Sequence, residues 1–336
     1  MPLKLKDFLG SVERLAWAKD NGCPWEEATC LLIAAGGHVD VLKWALQHDC
    51  PFPLFGGICE RAAKGGHLEM VKWWLEHGGQ RGGTCAFAAE GGHLEVLKWA
   101  RAHDCRWDEE TCHNAAGGGH LEVLRWAREN HCPWDERTCE CAAWGGHLDV
   151  LKWARAHGCP WDESLEDLEL DCCASAAGGG HLEVLQWLRE HHCPWDTMTC
   201  KRAAFGGHLE VLQWAREQHC PWDSWTCQAA AHGGHLEVLQ WAREHHCPWD
   251  SPTCEAAAGG GQLEVLQWAR SHDCPWGKET CFRAAEGGHL EVLKWAVEHG
   301  CPWDAKFCAT FADVRGHEEV AQWARAHPTY FDILAL

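Results

Sequence analysis

The chain is short of positive charge. It carries 29 Lys and Arg against 49 Asp and Glu, a formal net charge of −20. Nucleic-acid binding rests on clustered cations that neutralise phosphates. Here the basic residues are spread one or two per repeat beside Glu, with no basic stripe, so no nucleic acid is expected. No apolar run is long enough to span a bilayer, and no membrane is expected. The N-terminal Met-Pro-Leu-Lys-Leu-Lys-Asp-Phe lacks a secretory apolar region, which points to a cytoplasmic, reducing setting. A Gly-rich phosphate loop and a Gly-x-Ser-x-Gly elbow are also missing. Any Cys–His pair recurs once per repeat, as packing elements do, whereas a catalytic site is expected once. The expectation is a protein that is not an enzyme and needs no cofactor.

What is present is a period. The Gly-Gly-His triplet, or a close variant of it, falls at His38, His67, His93, His120, His147, His181, His208, His235, His289 and His317, and Gln262 takes the His place in an eleventh copy. Most steps are 27 residues; the departures are 29 to His67, 26 to His93, 34 to His181 and 28 to His317. Such a period marks a stack of units that pack only on their neighbours. Residues Ser11 to Gly22 match the second half of a unit, so the array begins mid-repeat. One continuous array, 1–336, is expected, with an N-terminal cap at 1–22, repeats over 23–304 and a C-terminal cap at 305–336.

The unit from Asp135 to His157 reads as two helices. Asp135 or Thr138 caps the first, which covers Thr-Cys-x-x-Ala-Ala-x; Pro252 in an equivalent first turn agrees with this start. Gly145 and Gly146 stop it. The second runs from His147 to His157, with Leu148, Leu151 and Ala154 on one face, widened by Val150 and Trp153. Helices this short do not stand alone in water and must bury their stripes against neighbouring copies.

Gly-His-Leu-Glu-Val-Leu-Lys-Trp-Ala after a short Ala-Ala helix resembles an ankyrin repeat, over residues 11–327. In this chain Thr-Cys-x-x stands where the family has Thr-Pro-Leu-His, and the β-hairpin finger is cut to Cys-Pro-Trp-Asp. The Cys-Pro-Trp-Asp form is also similar to ankyrin arrays of giant DNA viruses that infect amoebae and algae. The resemblance implies an all-α, ankyrin-like helical-pair solenoid of about eleven repeats, with β-hairpin fingers reduced or absent.

Cysteine, histidine and tryptophan invite a metal reading. The set Cys220, Cys227, His219 and His235 recurs in every good unit. No C-x₂₋₄-C knuckle accompanies it, and equivalent cysteines in successive units should lie about 10 Å apart, whereas two sulfurs on one zinc sit near 4 Å. Cysteine is also a small, often buried hydrophobe. The chain has 23 cysteines, an odd number, and no disulfide framework is expected. Most of the 24 tryptophans fall in two repeating columns, read here as buried core. The flanking His191, His192, His245 and His246 should face solvent. No metal site is assigned; a metal-binding or thiol-buffering protein stays as the alternative.

Positions that differ between copies are free of the shared packing demand. They lie on the first helix and its adjoining loop, on the concave side of an ankyrin-like stack: Glu136, Arg137, Glu140, Cys141 and Trp144 in one copy, Phe282, Arg283 and Glu286 in a later one. The candidate partner-binding set is Trp144, Met198, Lys201, Arg202, Phe205, Trp225, Gln228 and His232, since exposed aromatics, Met and Arg anchor interfaces; chance drift of surface positions would produce the same letters. The step of 34 adds seven residues in an acidic stretch from Trp161 to Cys173, either a binding finger or a tolerated insertion. The apolar tail from Tyr330 to Leu336 either docks on the last unit or is a partner motif. The resulting expectation is a monomer that binds another protein, host or viral, on its concave face.

Overall fold

A computed structural model describes residues 8–23, 25–51, 57–161 and 171–327. The acidic insertion at 162–170 and the tail at 328–336 lie outside them. The described residues form helices, turns and loops, and no strand occurs among them. The chain divides into two compact units, 1–161 and 162–336.

The first unit opens with a single helix, α1 (Val12–Asp20). Five pairs follow: α2 (Glu27–Ala35) with α3 (Val39–Gln47), α4 (Ile58–Lys64) with α5 (Leu68–Glu76), α6 (Thr84–Glu90) with α7 (Leu94–Ala102), α8 (Glu109–Gly117) with α9 (Leu121–Glu129), and α10 (Glu136–Trp144) with α11 (Leu148–Ala156). The second unit holds six pairs. They are α12 (Cys172–Gly178) with α13 (Leu182–Glu190), α14 (Thr197–Phe205) with α15 (Leu209–Glu217), α16 (Ser224–Gly233) with α17 (Leu236–Glu244), α18 (Ser251–Gly259) with α19 (Leu263–Ser271), α20 (Lys278–Glu286) with α21 (Leu290–Glu298), and α22 (Ala305–Val314) with α23 (Glu318–Ala326).

The first helix of the unit starts two residues earlier than the sequence pattern suggests, because Asp135, not Thr138, is the cap: its carboxylate accepts from Arg137 N at 3.1 Å. Thr138 is fully buried at the third position of the helix. The second helix is also shorter than expected, because His147 is its N-cap residue and His157 its C-cap. Its buried face is Val150, Leu151 and Ala154, while Leu148 is only half-buried.

Within each unit the first helices pack closely on one another, and the second helices pack chiefly on their own partners. The columns explain this. First helices present Thr, Cys, Ala and Ala, all small and all buried, such as Thr199, Cys200, Ala203 and Ala204. Small faces let helix axes approach. Second helices bury Val, Leu and Ala, such as Val211, Leu212 and Ala215. Burying one such large aliphatic side chain stabilises by about 1.5–3 kcal/mol, and the column repeats it in every pair.

The triplet histidine links neighbouring pairs. His208 Nε2 donates to Gly178 O at 3.0 Å, His235 to Phe205 O at 2.9 Å and His289 to Gly259 O at 3.0 Å. In the first unit His93, His120 and His147 do the same to Lys64, Glu90 and Gly117 carbonyls. The ring thus ties its own pair to the end of the preceding first helix. Gln262 keeps the link with its amide, donating to His232 O at 3.4 Å.

Tryptophan departs from the expectation of a buried core. Among the described tryptophans only Trp74 is buried; those in both repeating columns are otherwise half-buried or exposed. Loop and second-helix rings meet edge to face, as in Trp195–Trp214 at 5.9 Å and Trp222–Trp241 at 5.9 Å between centroids. A guanidinium covers the loop ring: Arg189 over Trp195 and Arg216 over Trp222, both at 4.3 Å. The same arginine donates to the carbonyl of the following cysteine, Arg189 to Cys193 and Arg216 to Cys220. The exposed His191 and His245 stack on the second-helix rings, Trp187 at 4.1 Å and Trp241 at 4.2 Å. Indoles packed under cations stay at the solvent border, because the guanidinium must keep its own hydration. Glu95 and Lys98 pair at 2.8 Å on α7, whereas Arg125 of α9 lies over the Trp153 ring at 5.7 Å.

Candidate interaction surface and the cysteine pairs

The residues proposed from copy-to-copy variation sit on first helices. In the second unit, α14 and α16 pack side by side and carry seven of them. Lys201 Nζ lies 4.5 Å above the Trp225 ring. Phe205 and His232 occupy the same column of adjacent helices and stack at 5.9 Å, 17° from parallel. His232 Nδ1 is 3.3 Å from Ala256 O, and Gln228 donates to Asp250 Oδ1 at 3.2 Å and to Ser224 Oγ at 3.4 Å. Arg202 is exposed on α14. Met198 is half-buried, with its backbone N–H held by Asp196 at 2.7 Å.

Phe205 is 53% and Trp225 is 55% exposed. Large rings this open are unusual beside a core that buries its other apolar columns. Neither is loose, since each is braced by a neighbour across the helix pair. Trp144, 52% exposed at the end of α10, belongs to the first unit. At the far end of the second unit, Phe282, Phe307 and Phe311 form a separate cluster with centroids 4.6–5.0 Å apart.

A groove of about 460 Å³ opens on the second-helix side, lined by Gln186, Arg189, Glu190, Trp195, Trp214 and Gln218. Sequence reasoning missed it because it assigned both tryptophan columns to the core. The repeating Arg-x-x-x-Cys-Pro-Trp spacing, which puts a cation over the loop ring, was the available signal.

The cysteines pair, but not between equivalent columns. The Thr-Cys cysteine of one copy meets the Cys-Pro-Trp cysteine of the next: Cys30 and Cys50 sulfurs lie 3.4 Å apart. The same contact holds Cys200 against Cys220 and Cys227 against Cys247. The loop cysteine also donates its S–H to the capping Asp carbonyl one copy back, Cys220 to Asp196 O at 3.4 Å and Cys247 to Asp223 O at 3.3 Å. The expectation of about 10 Å concerned like columns only, and it is the unlike columns that come into contact. The hydrogen bond to the neighbouring sulfur, and then burial, push the Cys200 and Cys227 thiols far above the ordinary thiol range. Burial is the main cause that carries Cys59 and Cys85 up to about 12. All cysteines are buried except the half-buried Cys141.

The recurring set of Cys220, Cys227, His219 and His235 is not brought together. Each cysteine pairs with another copy, His219 is exposed, and His235 holds Phe205 O. A metal-binding role for the repeated Cys and His is therefore not supported. Among the described residues, the one set of three or more His, Cys, Asp or Glu ligand atoms close enough to share an ion is Asp171, Cys173 and Cys193.

Comparison with known proteins agrees with this architecture. Residues 112–155 and 139–189 match the family model "Ankyrin repeats (many copies)", which supports ankyrin repeats in this part of the chain. Among solved structures, the human ASB11 ankyrin repeat domain is similar, with a TM-score of 0.38 and 17% identity over 49% of this chain and 84% of that one. No curated protein matches the chain. Among the described residues no helix is long and apolar enough to cross a membrane.

Proposed function

We propose that this chain is a non-enzymatic scaffold that binds another protein on the concave, first-helix face, centred on α14 and α16. The single observation that carries the reading is the pair of open, braced rings, Phe205 and Trp225, on helices whose cysteines and alanines are buried. Ankyrin repeats generally mediate protein–protein interaction, and the matched segment adjoins this face in sequence. Rings held in place by Lys201 and His232 lose little side-chain freedom on binding, which is what interface anchors require. Lys201 and Arg202 add positive charge to a chain that is otherwise strongly acidic. The partner that fits is a protein segment presenting apolar groups beside carboxylates. In this reading Met198, Gln228 and His232 form the rim, and Trp144 marks a second contact on the first unit. The protein acts as a monomer in the cytoplasm, which is the host cytosol if the chain is viral, and it uses neither nucleic acid nor membrane.

The test is comparative capture from native cells. Wild type and the Phe205→Ala/Trp225→Ala variant are immobilised side by side, with circular dichroism confirming equal helicity. The double variant is expected to lose at least about tenfold of its partner, since truncated anchors each cost about 2 kcal/mol. Lys294→Ala, on the solvent side of α21, should leave capture unchanged. Equal capture by wild type and the double variant would sink the reading.

A further inference from the structure

The α12 helix departs from the copies that follow it in the second unit. In α14 the capping Asp196 stands four positions before Cys200. The α12 helix is two residues shorter, and its cap, Asp171, stands only two positions before Cys173. The cap has slid along the chain towards the sulfur pair. Its carboxylate, Cys173 Sγ and Cys193 Sγ consequently all lie within 4.8 Å of one another. Both sulfurs are buried, at 0% and 2% exposure.

The carboxylate is only half used. Asp171 Oδ1 accepts from Cys173 N at 2.7 Å. Oδ2 is buried and has no hydrogen-bond partner. Burial carries the carboxyl up to about 7. A buried carboxylate oxygen left bare calls for a proton or a cation. Other copies in this unit place two sulfurs together in the same way, but their capping carboxylates sit farther back along the chain.

We propose that Asp171, Cys173 and Cys193 form a zinc site with three protein ligands and one open position. Zn–S bonds of about 2.3 Å in a tetrahedron set ligand atoms about 3.8 Å apart, so each atom moves by no more than about 1 Å. Two thiolates select a soft or borderline ion over Mg²⁺ or Ca²⁺. On binding, both thiols release their protons to solvent and two S–Zn bonds replace two S–H bonds. The resulting site carries two thiolates and one carboxylate against a dication, a net single negative charge. The guanidinium of Arg189, which donates to Cys193 O, lies beside the site to balance it. The fourth position is left for water or for a side chain of a partner.

The experiment uses the full chain, reduced and stripped by chelator, and titrated with Co²⁺ and then Zn²⁺. The expected result is about one equivalent of Co²⁺ with a thiolate-to-cobalt charge-transfer band, displaced by Zn²⁺. Asp171→Asn, which keeps the cap and the shape, should weaken Co²⁺ binding by at least about tenfold, and Cys173→Ser should abolish the band. Cys200→Ser is the control and should leave it intact. Should Cys173→Ser not fold, Asp171→Asn still decides the matter. Absence of the band, a titration running to several equivalents, a band indifferent to Asp171→Asn, or its loss in Cys200→Ser would each overturn the site.

Discussion

Gly207→Ala is expected to destabilise the second unit by about 3 kcal/mol, the sum of two costs. Gly207 has φ +76°, in the left-handed region where a Cβ costs about 1–2 kcal/mol. The added Cβ would also fall 2.4 Å from Nδ1 of His235. That ring cannot swing aside freely, because its Nε2 holds Phe205 O at 2.9 Å. Displacing it leaves a carbonyl at the helix end without its partner, worth about 1–3 kcal/mol. Gly300→Ala separates the two costs. Its φ is +81°, yet a Cβ there meets nothing within 4 Å. Other copies place Asp273 and His246 at the matching turn with φ of 62° and 66°. Gly300→Ala should therefore cost only about 1 kcal/mol. Urea denaturation of the two variants checks the difference, with hydrogen exchange reporting which helices open. Equal losses would mean that the histidine link contributes nothing.

The second large effect is chemical. Native, reduced protein should react with a thiol-specific reagent at no more than one cysteine, Cys141, while the denatured chain titrates all 23. Burial protects the rest, and for some of them a second barrier adds to it. Burial denies the reagent access, and it also holds thiols such as Cys59, Cys85 and Cys308 up near 12, so almost no thiolate forms at neutral pH. Cys141 itself is raised to about 11, so even its reaction should be slow. Rapid labelling of many thiols in folded protein would revive the thiol-buffering alternative.

The pair of short helices, their order and their number of copies were legible from the 27-residue period and from Gly after Ala-Ala. The buried cysteine columns were legible too, because Cys recurs at the same two places in nearly every unit, as packing residues do. Three things were not. The second-helix tryptophans alternate with core residues, and only the arginine four places before most Cys-Pro-Trp cysteines tells an outer ladder from a core row. The Cys30–Cys50 type of contact joins unlike columns 20 residues apart, so aligning like with like hides it. Asp171 was invisible because a cap's neighbours depend on where its helix begins, and α12 begins late. For the candidate surface, variation between copies located Phe205 and Trp225. The bracing by His232 and Lys201 depends on side-chain direction across two helices, which one-dimensional spacing does not contain.

The most direct measurement of the central claim is site-specific photocrosslinking in native cells, with the probe at position 202 or 228 on the first helices, or at 294 on a second helix. The account predicts crosslinks to a common partner protein from 202 and 228 and none from 294. Crosslinking from 294 alone, or equally from all three positions, would contradict it.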